Sequence, residues 1–213
     1  MMKAIIIGAT GAVGKDLLLQ LLDDDRYDSV VAFVRRDPGI VNDKLTVRVI
    51  DFEHPELWKD EVCGDVLYSC LGTTLKQAGG KRPQWRVDYD YQLAFAEAAA
   101  QNGVEHYALV SSMGANSHSM NFYMKMKGAL EDAVRQLSFR HIVIVQPPSL
   151  IRKDSDRLGE RLSVSLLKGL NSIGLLRGFR PIATETVARA MRALVASGQS
   201  GVEVLTNQEI AAY

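Results

Sequence analysis

The sequence is poor in the residues that build disulfides and metal sites. It contains 2 cysteines and 4 histidines among 213 residues. Cys63 and Cys70 are too far apart for a CxxC motif, and the histidines are not paired at ligand spacing. We therefore expect reduced thiols, no metal ion and a cytoplasmic protein.

The chain also lacks long apolar runs and an excess of charge of either sign. No apolar run approaches the roughly 18 residues of a membrane span, and the stretch Ala4–Ile7 is too short for a signal peptide. Lys and Arg together number 25, as do Asp and Glu, so we expect no nucleic acid and no membrane as partners. The expected partner is a small-molecule substrate, and a homodimer is compatible with the sequence.

What the sequence does contain is an alternation of β-rich runs and longer helical patterns. Most runs are continuously apolar, which is typical of strands covered on both faces of a parallel sheet. The alternation predicts one doubly wound, Rossmann-type α/β domain over residues 1–213 with helices on both faces. A small substrate or cap insert is expected at about 147–182, with a helix at about 158–170. The seven predicted strands are Ala4–Ile7, Val30–Val34, Leu45–Ile50, Val66–Cys70, Tyr107–Ser111, His141–Gln146 and Val202–Leu205.

A glycine-rich turn follows the first predicted strand and opens a helix. Glycines there permit the tight bend, let the backbone approach a pyrophosphate and let helix and strand pack closely. The helix N-terminus offers free N–H groups to phosphates. The spacing is GxxGxxG rather than GxGxxG, and a tight turn without a ligand is the alternative. The predicted dinucleotide contacts are Gly8, Thr10, Gly11, Ala12, Val13 and Gly14.

Two arginines follow the second predicted strand, where the adenosine ribose of a dinucleotide would lie. NAD sites usually carry an acid at this point, whereas this chain has Arg35 and Arg36. Guanidinium groups suit a 2′-phosphate, so the sequence favours NADP(H). Asp37 keeps NAD(H) as an alternative, and two solvated arginines are another.

The ends of the third and fourth predicted strands supply further cofactor contacts. A carboxylate and a ring edge after the third strand suit adenine, and the chain after the fourth strand would run past the cofactor. Each segment could equally be a plain strand end. The predicted contacts are Asp51, Phe52, Leu71, Gly72 and Thr73.

A tyrosine and a lysine form the candidate catalytic pair. Tyr123 and Lys127 are four residues apart and share a face of a predicted helix. A phenol is a weak acid–base catalyst at neutral pH, and an adjacent ammonium favours its phenolate. Ser112, at the end of the fifth strand, could hold a substrate oxygen while the phenol transfers a proton and a nicotinamide the hydride. An exposed Tyr–Lys pair without a function is the alternative.

Together these motifs resemble the short-chain dehydrogenase/reductase superfamily, and within it the atypical Tat-interactive-protein-like oxidoreductases. The resemblance covers nearly the whole chain. It implies NADPH binding, a Ser-Tyr-Lys arrangement at Ser112, Tyr123 and Lys127, and a nicotinamide wall that includes Pro147. The segments that carry it are 8–14, 70–74, 86–91, 111–115 and 122–131.

Two residues depart from the superfamily pattern. Asp88 stands where the extended enzymes carry an asparagine of the proton relay, and Gln146 opens a Gln-Pro-Pro sequence where the related pattern is Arg-Pro-Gly. The methionines near Tyr123 suit an adaptable apolar pocket or simple core filling; they are Met113, Met120, Met124 and Met126.

Three functions are compatible with these residues, because one fold hosts many activities. We expect an NADPH-dependent reductase of a small, rather apolar carbonyl compound. A non-catalytic NADP(H)-binding regulatory or assembly protein is the second hypothesis, and a nucleotide-sugar epimerase or dehydratase is the third.

Overall fold

The computed structural model describes residues 1–148, 150–151 and 181–213. The strands are β1 (Met2–Ile7), β2 (Tyr27–Val34), β3 (Leu45–Val49), β4 (Val66–Ser69), β5 (His106–Val110), β6 (His141–Val145), β7 (Leu150–Ile151), β8 (Ile182–Ala183) and β9 (Gly201–Leu205). Seven of them form a parallel sheet in the order β3-β2-β1-β4-β5-β6-β9. The pair β7 and β8 forms a short second sheet.

Helices cover both faces of the large sheet; they are α1 (Ala12–Leu22), α2 (Leu75–Ala78), α3 (Lys81–Trp85), α4 (Tyr91–Gln101), α5 (Phe122–Val134), α6 (Thr184–Val195) and α7 (Asn207–Ile210). The helices α1 and α6 pack together on one face, and α4 and α5 pack together on the other. Along β1, Ile6 belongs to the first apolar cluster and Ile5 and Ile7 to the second. The strands are continuously apolar because both faces are covered, and the predicted α/β fold is confirmed.

The strand order reverses between β1 and β4. The chain runs outward from β1 through β2 to β3, then returns to pair β4 with the other side of β1. In open parallel sheets, ligands bind at the carboxyl ends of the strands beside such a reversal. The glycine turn after β1 and the loop after β4 both lie at this point.

One helix differs from its prediction. The pattern predicts a single helix from Trp85 to Gln101, whereas the structure has α3, then a π-helical turn at Arg86–Asp90, and then α4. A π turn carries one extra residue and is frequent at functional sites. A periodicity of polar and apolar residues does not reveal it, because tertiary contacts select the wider turn.

Among the described residues, no helix is long and apolar enough to cross a membrane. Within the same ranges, no three histidine, cysteine or carboxylate side chains cluster closely enough to hold a metal ion. The insert expected at about 147–182, with its helix at about 158–170, lies mostly outside the described residues.

Candidate functional site

The glycine turn between β1 and α1 leaves no room for side chains. Gly8 has a φ of +76°, and a Cβ there would lie 2.4 Å from the backbone of Cys70 at the end of β4. A Cβ on Gly14 would lie 2.1 Å from the Gly8 carbonyl oxygen. The Gly11 amide closes the turn by donating to that same carbonyl across 2.9 Å. Close packing alone therefore accounts for Gly8 and Gly14, with or without a ligand.

The first turn of α1 is open to an anion. Gly11 is the N-cap residue, and no side chain caps the helix there. Thr10 and Gly11 are exposed, Ala12 is half-buried, and Val13 packs beneath them. Uncapped N–H groups at the positive end of a helix dipole attract phosphate. The residues of this turn therefore fit the pyrophosphate of a dinucleotide.

Arg35 and Arg36 follow β2, and both are exposed. Neither guanidinium makes an ion pair with a residue in the described ranges. The Asp37 carboxylate accepts a hydrogen bond from the Gly39 amide across 2.8 Å, so it is engaged in its own turn. The two arginines are thus available to an anion, as a 2′-phosphate site requires.

The segment after β3 differs from what the sequence suggested. The Phe52 ring is buried, with its centre 5.5 Å from the ring centres of Phe95 and of Tyr91. It therefore belongs to the core and does not present an edge to a ligand. Asp51 is exposed and accepts a hydrogen bond from the Glu53 amide. Only Asp51 and the main chain of Phe52 remain available to a cofactor.

The loop after β4 is fixed by side chains from α3 and the π turn. The Thr73 amide donates to Asp88 Oδ2 across 2.8 Å, and Gln84 Nε2 donates to the Thr73 carbonyl across 3.3 Å. Gly72 is exposed, Leu71 is half-buried, and the loop begins where Cys70 touches the glycine turn. Its main chain thus passes beside the predicted cofactor position.

Tyr123 and Lys127 lie one turn apart on α5. Asn121 caps this helix, because its side-chain oxygen accepts hydrogen bonds from the Tyr123 and Met124 amides. The Lys127 ammonium lies 6.0 Å from the centre of the Tyr123 ring. Tyr123 is half-buried, and its hydroxyl makes no hydrogen bond to a described residue. The structure therefore brings the predicted pair together.

Lys127 is buried in an ion pair with Asp88. Its ammonium lies 3.2 Å from Asp88 Oδ1, and the two side chains are 5% and 2% exposed. Burial raises the pKa of Asp88, while the Lys127 ammonium and the Thr73 amide act to lower it. The residue that departs from the superfamily pattern is therefore the direct partner of the predicted catalytic lysine.

Polar residues behind Asp88 complete a buried network that our sequence analysis missed. Gln92 Nε2 donates to the Asp88 carbonyl across 2.7 Å, and Ser69 Oγ donates to Gln92 Oε1 across 2.7 Å. Gln84, Asp88 and Gln92 are all buried and occur at intervals of four residues. A polar stripe at helical spacing, next to an apolar one, was the signal that could have revealed them.

A second buried carboxylate, Glu131, lies one turn beyond Lys127 on α5. Ser111 Oγ donates a short hydrogen bond to Glu131 Oε1, and Gln146 Nε2 lies 2.9 Å from the same oxygen. Arg135 donates to the other oxygen across 3.0 Å. Gln146, the second departure from the superfamily pattern, therefore ties the end of β6 to α5.

Ser112 lies on the loop between β5 and α5. A Cβ on Gly128 would lie 2.2 Å from the backbone of Asn116, so this loop is pressed against α5. Among the described residues, the Ser112 hydroxyl makes a single contact, 3.5 Å from the Met113 carbonyl. Within the described residues it makes no hydrogen bond to Tyr123. The serine is thus near the pair in the fold but not bonded to it.

Pro147 follows β6 and is buried. Its carbonyl accepts a hydrogen bond from the Met113 amide across 3.0 Å. Because Met113 follows Ser112, this bond ties the segment after β6 to the serine loop.

A cavity of about 520 Å³ lies beside the start of α5 but does not reach the predicted pair. It is lined by Lys81, Arg82, Trp85, Arg86, Asp90 and Phe122. Neither Tyr123 nor Lys127 borders it. The methionines do not form one pocket either, because Met126 is fully buried in the core and Met120 is fully exposed.

Comparison with known proteins agrees with this geometry. The sequence matches the NAD(P)H-binding family over residues 8–197. The protein named "Protein FMP52, mitochondrial" of Candida albicans is 33% identical over 210 residues, which cover 94% of this chain and 90% of the relative.

Two solved structures resemble the fold. The UDP-glucose 4-epimerase of Thermotoga maritima superposes with a TM-score of 0.71 at 15% identity, over 96% of this chain and 77% of its own. A short-chain dehydrogenase/reductase superfamily protein from Agrobacterium tumefaciens with bound NAD gives a TM-score of 0.69 at 16% identity, over 99% of this chain and 80% of its own. At such low identity these likenesses establish the fold alone.

Two expectations are corrected by these comparisons. The narrower resemblance, to a Tat-interactive-protein-like branch, is replaced by relatives named FMP52. The expectation of a cytoplasmic protein is wrong, because those relatives are named mitochondrial. Free Cys63 and Cys70 are compatible with any reducing compartment, so the cysteine content could not single out the cytoplasm.

The evidence for the family is thus both local and global. The glycine turn fits a dinucleotide pyrophosphate, and the fold is like that of the short-chain dehydrogenases/reductases. The sequence match spans most of the chain. This protein belongs to the NAD(P)H-binding family.

Proposed function

We propose that this protein is an NADPH-dependent oxidoreductase that reduces a small, rather apolar carbonyl compound. The observation that carries the proposal is the buried Lys127 ammonium one helical turn from the Tyr123 phenol. Asp88 links that lysine to the loop after β4. This loop begins at Cys70, which lies against the glycine turn. An acid beside a cation that stabilises its conjugate base is what proton transfer to a carbonyl oxygen requires.

The chain's own residues have distinct roles in this reaction. NADPH, when bound, supplies the hydride to the carbonyl carbon. Tyr123 donates its proton to the carbonyl oxygen as that carbon is reduced, and the Lys127 ammonium stabilises the phenolate that remains. Ser112 donates a hydrogen bond to the same oxygen. The first turn of α1 holds the pyrophosphate through the N–H groups that follow Gly11.

The preference for NADPH is part of the proposal. Arg35 and Arg36 are exposed and unpaired among the described residues, and they lie where the adenosine ribose is expected. NADPH at a hundred times its Kd should raise the free energy of unfolding by about 2.7 kcal/mol. NADH at the same concentration should raise it much less. Equal shifts of Tm with the two cofactors would contradict the assignment of these arginines.

Replacement of Tyr123 tests the chemistry. Tyr123→Phe keeps the ring and removes the proton donor, so NADPH oxidation with an accepted aldehyde, ketone or quinone should fall by about a hundredfold or more. Cofactor affinity should change little, because the phenol is not expected to hold phosphate. Tyr213→Phe, another partly exposed tyrosine at the end of the chain, is the matched control and should retain full activity. Turnover that survives Tyr123→Phe would rule out this mechanism.

The same panel identifies a regulatory protein. If NADPH binds tightly and no carbonyl compound is reduced, the second hypothesis, a non-catalytic NADP(H)-binding regulator, replaces the first. The likeness to sugar-nucleotide epimerases concerns the fold only, so UDP-glucose is included in the panel as a ligand to be tested.

A further inference from the structure

Asp88 contacts both halves of the candidate site. One carboxylate oxygen lies 3.2 Å from the Lys127 ammonium on α5. The other accepts the hydrogen bond of the Thr73 amide, in the loop after β4. The two oxygens of this buried carboxylate therefore join α5 to the loop after β4.

The position of Asp88 is fixed from several sides. Its carbonyl accepts a hydrogen bond from Gln92, which is itself held by Ser69. A Cβ on Gly72 would lie 3.3 Å from Asp88 Oδ1, so the loop after β4 closes over the carboxylate. The π turn places Asp88 inward between these groups. The carboxylate cannot turn away from Lys127 without breaking this packing.

Among the described residues, the charged and titratable groups around Lys127 come from three elements. On α5 they are Tyr123 and Glu131, and Glu131 is already paired with Arg135. At the end of β4, burial raises the pKa of the Cys70 thiol to about 12, so this thiol is neutral. The π turn contributes Asp88. Asp88 is thus the carboxylate that neutralises the lysine directly.

We propose that Asp88 is a positioning residue that holds Lys127 in place and determines how strongly its ammonium stabilises the Tyr123 phenolate. A paired ammonium stabilises a nearby phenolate less than a free one does. Asp88 therefore weakens the stabilisation that Lys127 can give to a phenolate at Tyr123. The link to turnover rests on the proposed function, whereas the effect on the phenol requires no substrate.

A spectroscopic titration tests this without turnover. Phenolate absorbs in the near ultraviolet, and subtracting the titration of Tyr123→Phe from that of the parent protein isolates the Tyr123 phenol. Asp88→Asn removes the charge and retains one oxygen acceptor, so the midpoint for Tyr123 should move to lower pH by about one unit. An unchanged midpoint would overturn the proposal.

A double variant keeps the test decisive if Asp88→Asn does not fold. Asp88→Asn combined with Lys127→Met replaces the pair by neutral groups of similar size, a change that buried ion pairs often tolerate. Because wild type presents a neutralised pair to Tyr123, the double variant should titrate within about half a unit of it. A midpoint about one unit or more above wild type would mean that the native lysine acts as a free cation.

Turnover provides a separate readout. If the protein reduces a carbonyl compound, the pH profile of kcat should shift in Asp88→Asn by the same amount and in the same direction as the phenol titration. A loss of kcat at every pH with an unmoved profile would indicate a merely structural Asp88 and contradict the proposal. Absence of all activity, with the spectroscopic shift present, would reject the proposed function and leave the role of Asp88 intact.

Discussion

The glycine turn and the part of α5 that carries Tyr123 and Lys127 are constructed differently. The turn is made of main chain, and its shape depends on the absence of side chains at Gly8 and Gly14. The site on α5 depends on a buried ion pair between Lys127 of that helix and Asp88 of the π turn. Steric exclusion at the turn comes from main chain, that of Gly8 itself at Gly14 and that of Cys70 at Gly8. Charge compensation requires partners that only the folded chain brings together.

The largest effect is expected from a substitution that breaks the buried ion pair of Lys127 and Asp88. Lys127→Met leaves Asp88 buried without a cation, which should lower the free energy of unfolding by about 3–5 kcal/mol at neutral pH. Because burial raises the pKa of Asp88, acidification should protonate it and reduce this deficit. Urea denaturation at neutral and at acid pH measures the free energy of unfolding of the variant and of the wild type. The double variant with Asp88→Asn should regain most of the loss, and failure to regain it would show that the pair is not the cause.

The next effect concerns the turn. Gly8→Ala places a Cβ against the Cys70 backbone, whereas Gly79→Ala places one in open space at nearly the same φ, +81° against +76°. The strain of a positive φ is common to both, so the difference isolates the close approach. We expect Gly8→Ala to cost about 1–3 kcal/mol more than Gly79→Ala. Equal losses in denaturant titrations would show that the turn can widen.

A smaller effect is expected at the amino end of β5, from the half-buried ring of His106. His106 Nδ1 has no hydrogen bond among the described residues. The pKa of His106 lies below its usual value of 6.5, mainly because of burial and secondly because of the nearby His141. Below about 6.5 the unfolded state binds the proton more readily, so this contribution to stability is present above that pH and is lost as the pH falls. The free energy of unfolding should fall by at most about 1.4 kcal/mol per pH unit through this histidine.

Comparison of variants isolates that histidine from the other acid-sensitive groups. His106→Phe should flatten the stability profile between about pH 5 and pH 7 in chemical denaturation. His118→Gln, at an exposed loop position, should leave it unchanged. A slope that persists in His106→Phe would assign the acid sensitivity elsewhere.

The smallest effect on stability belongs to the exposed arginines. Arg35→Ala with Arg36→Ala should change the free energy of unfolding by no more than about 0.5 kcal/mol, since neither side chain is paired within the described ranges. The double variant should nevertheless lose most of its preference for NADPH while NADH binding stays nearly constant. Titration of both cofactors checks this, and a retained preference would place the 2′-phosphate elsewhere.

The sequence by itself determined the seven strands of the large sheet and the glycine turn, but not the short pair β7 and β8. Apolar runs such as Ala4–Ile7 and His141–Gln146 predicted strands within one or two residues of their observed ends, because burial on both faces demands continuous apolar sequence. The glycine turn was equally visible because its three glycines lie within seven residues, although the Cys70 main chain that excludes a side chain at Gly8 could not be foreseen. The spacing of Tyr123 and Lys127 placed them on one helical face for the same local reason.

Only the tertiary structure decided which side chains meet. The pairing of Asp88 with Lys127 and the hydrogen bond between Gln146 and Glu131 each join different elements, and the π turn that carries Asp88 was not visible in the sequence pattern. Phe52 had an aromatic ring suited to adenine, yet the fold placed it in the core beside Phe95. A residue type fixes what a side chain can bind. Its burial and its partners depend on which other segments pack against it, and local sequence carries no record of that packing.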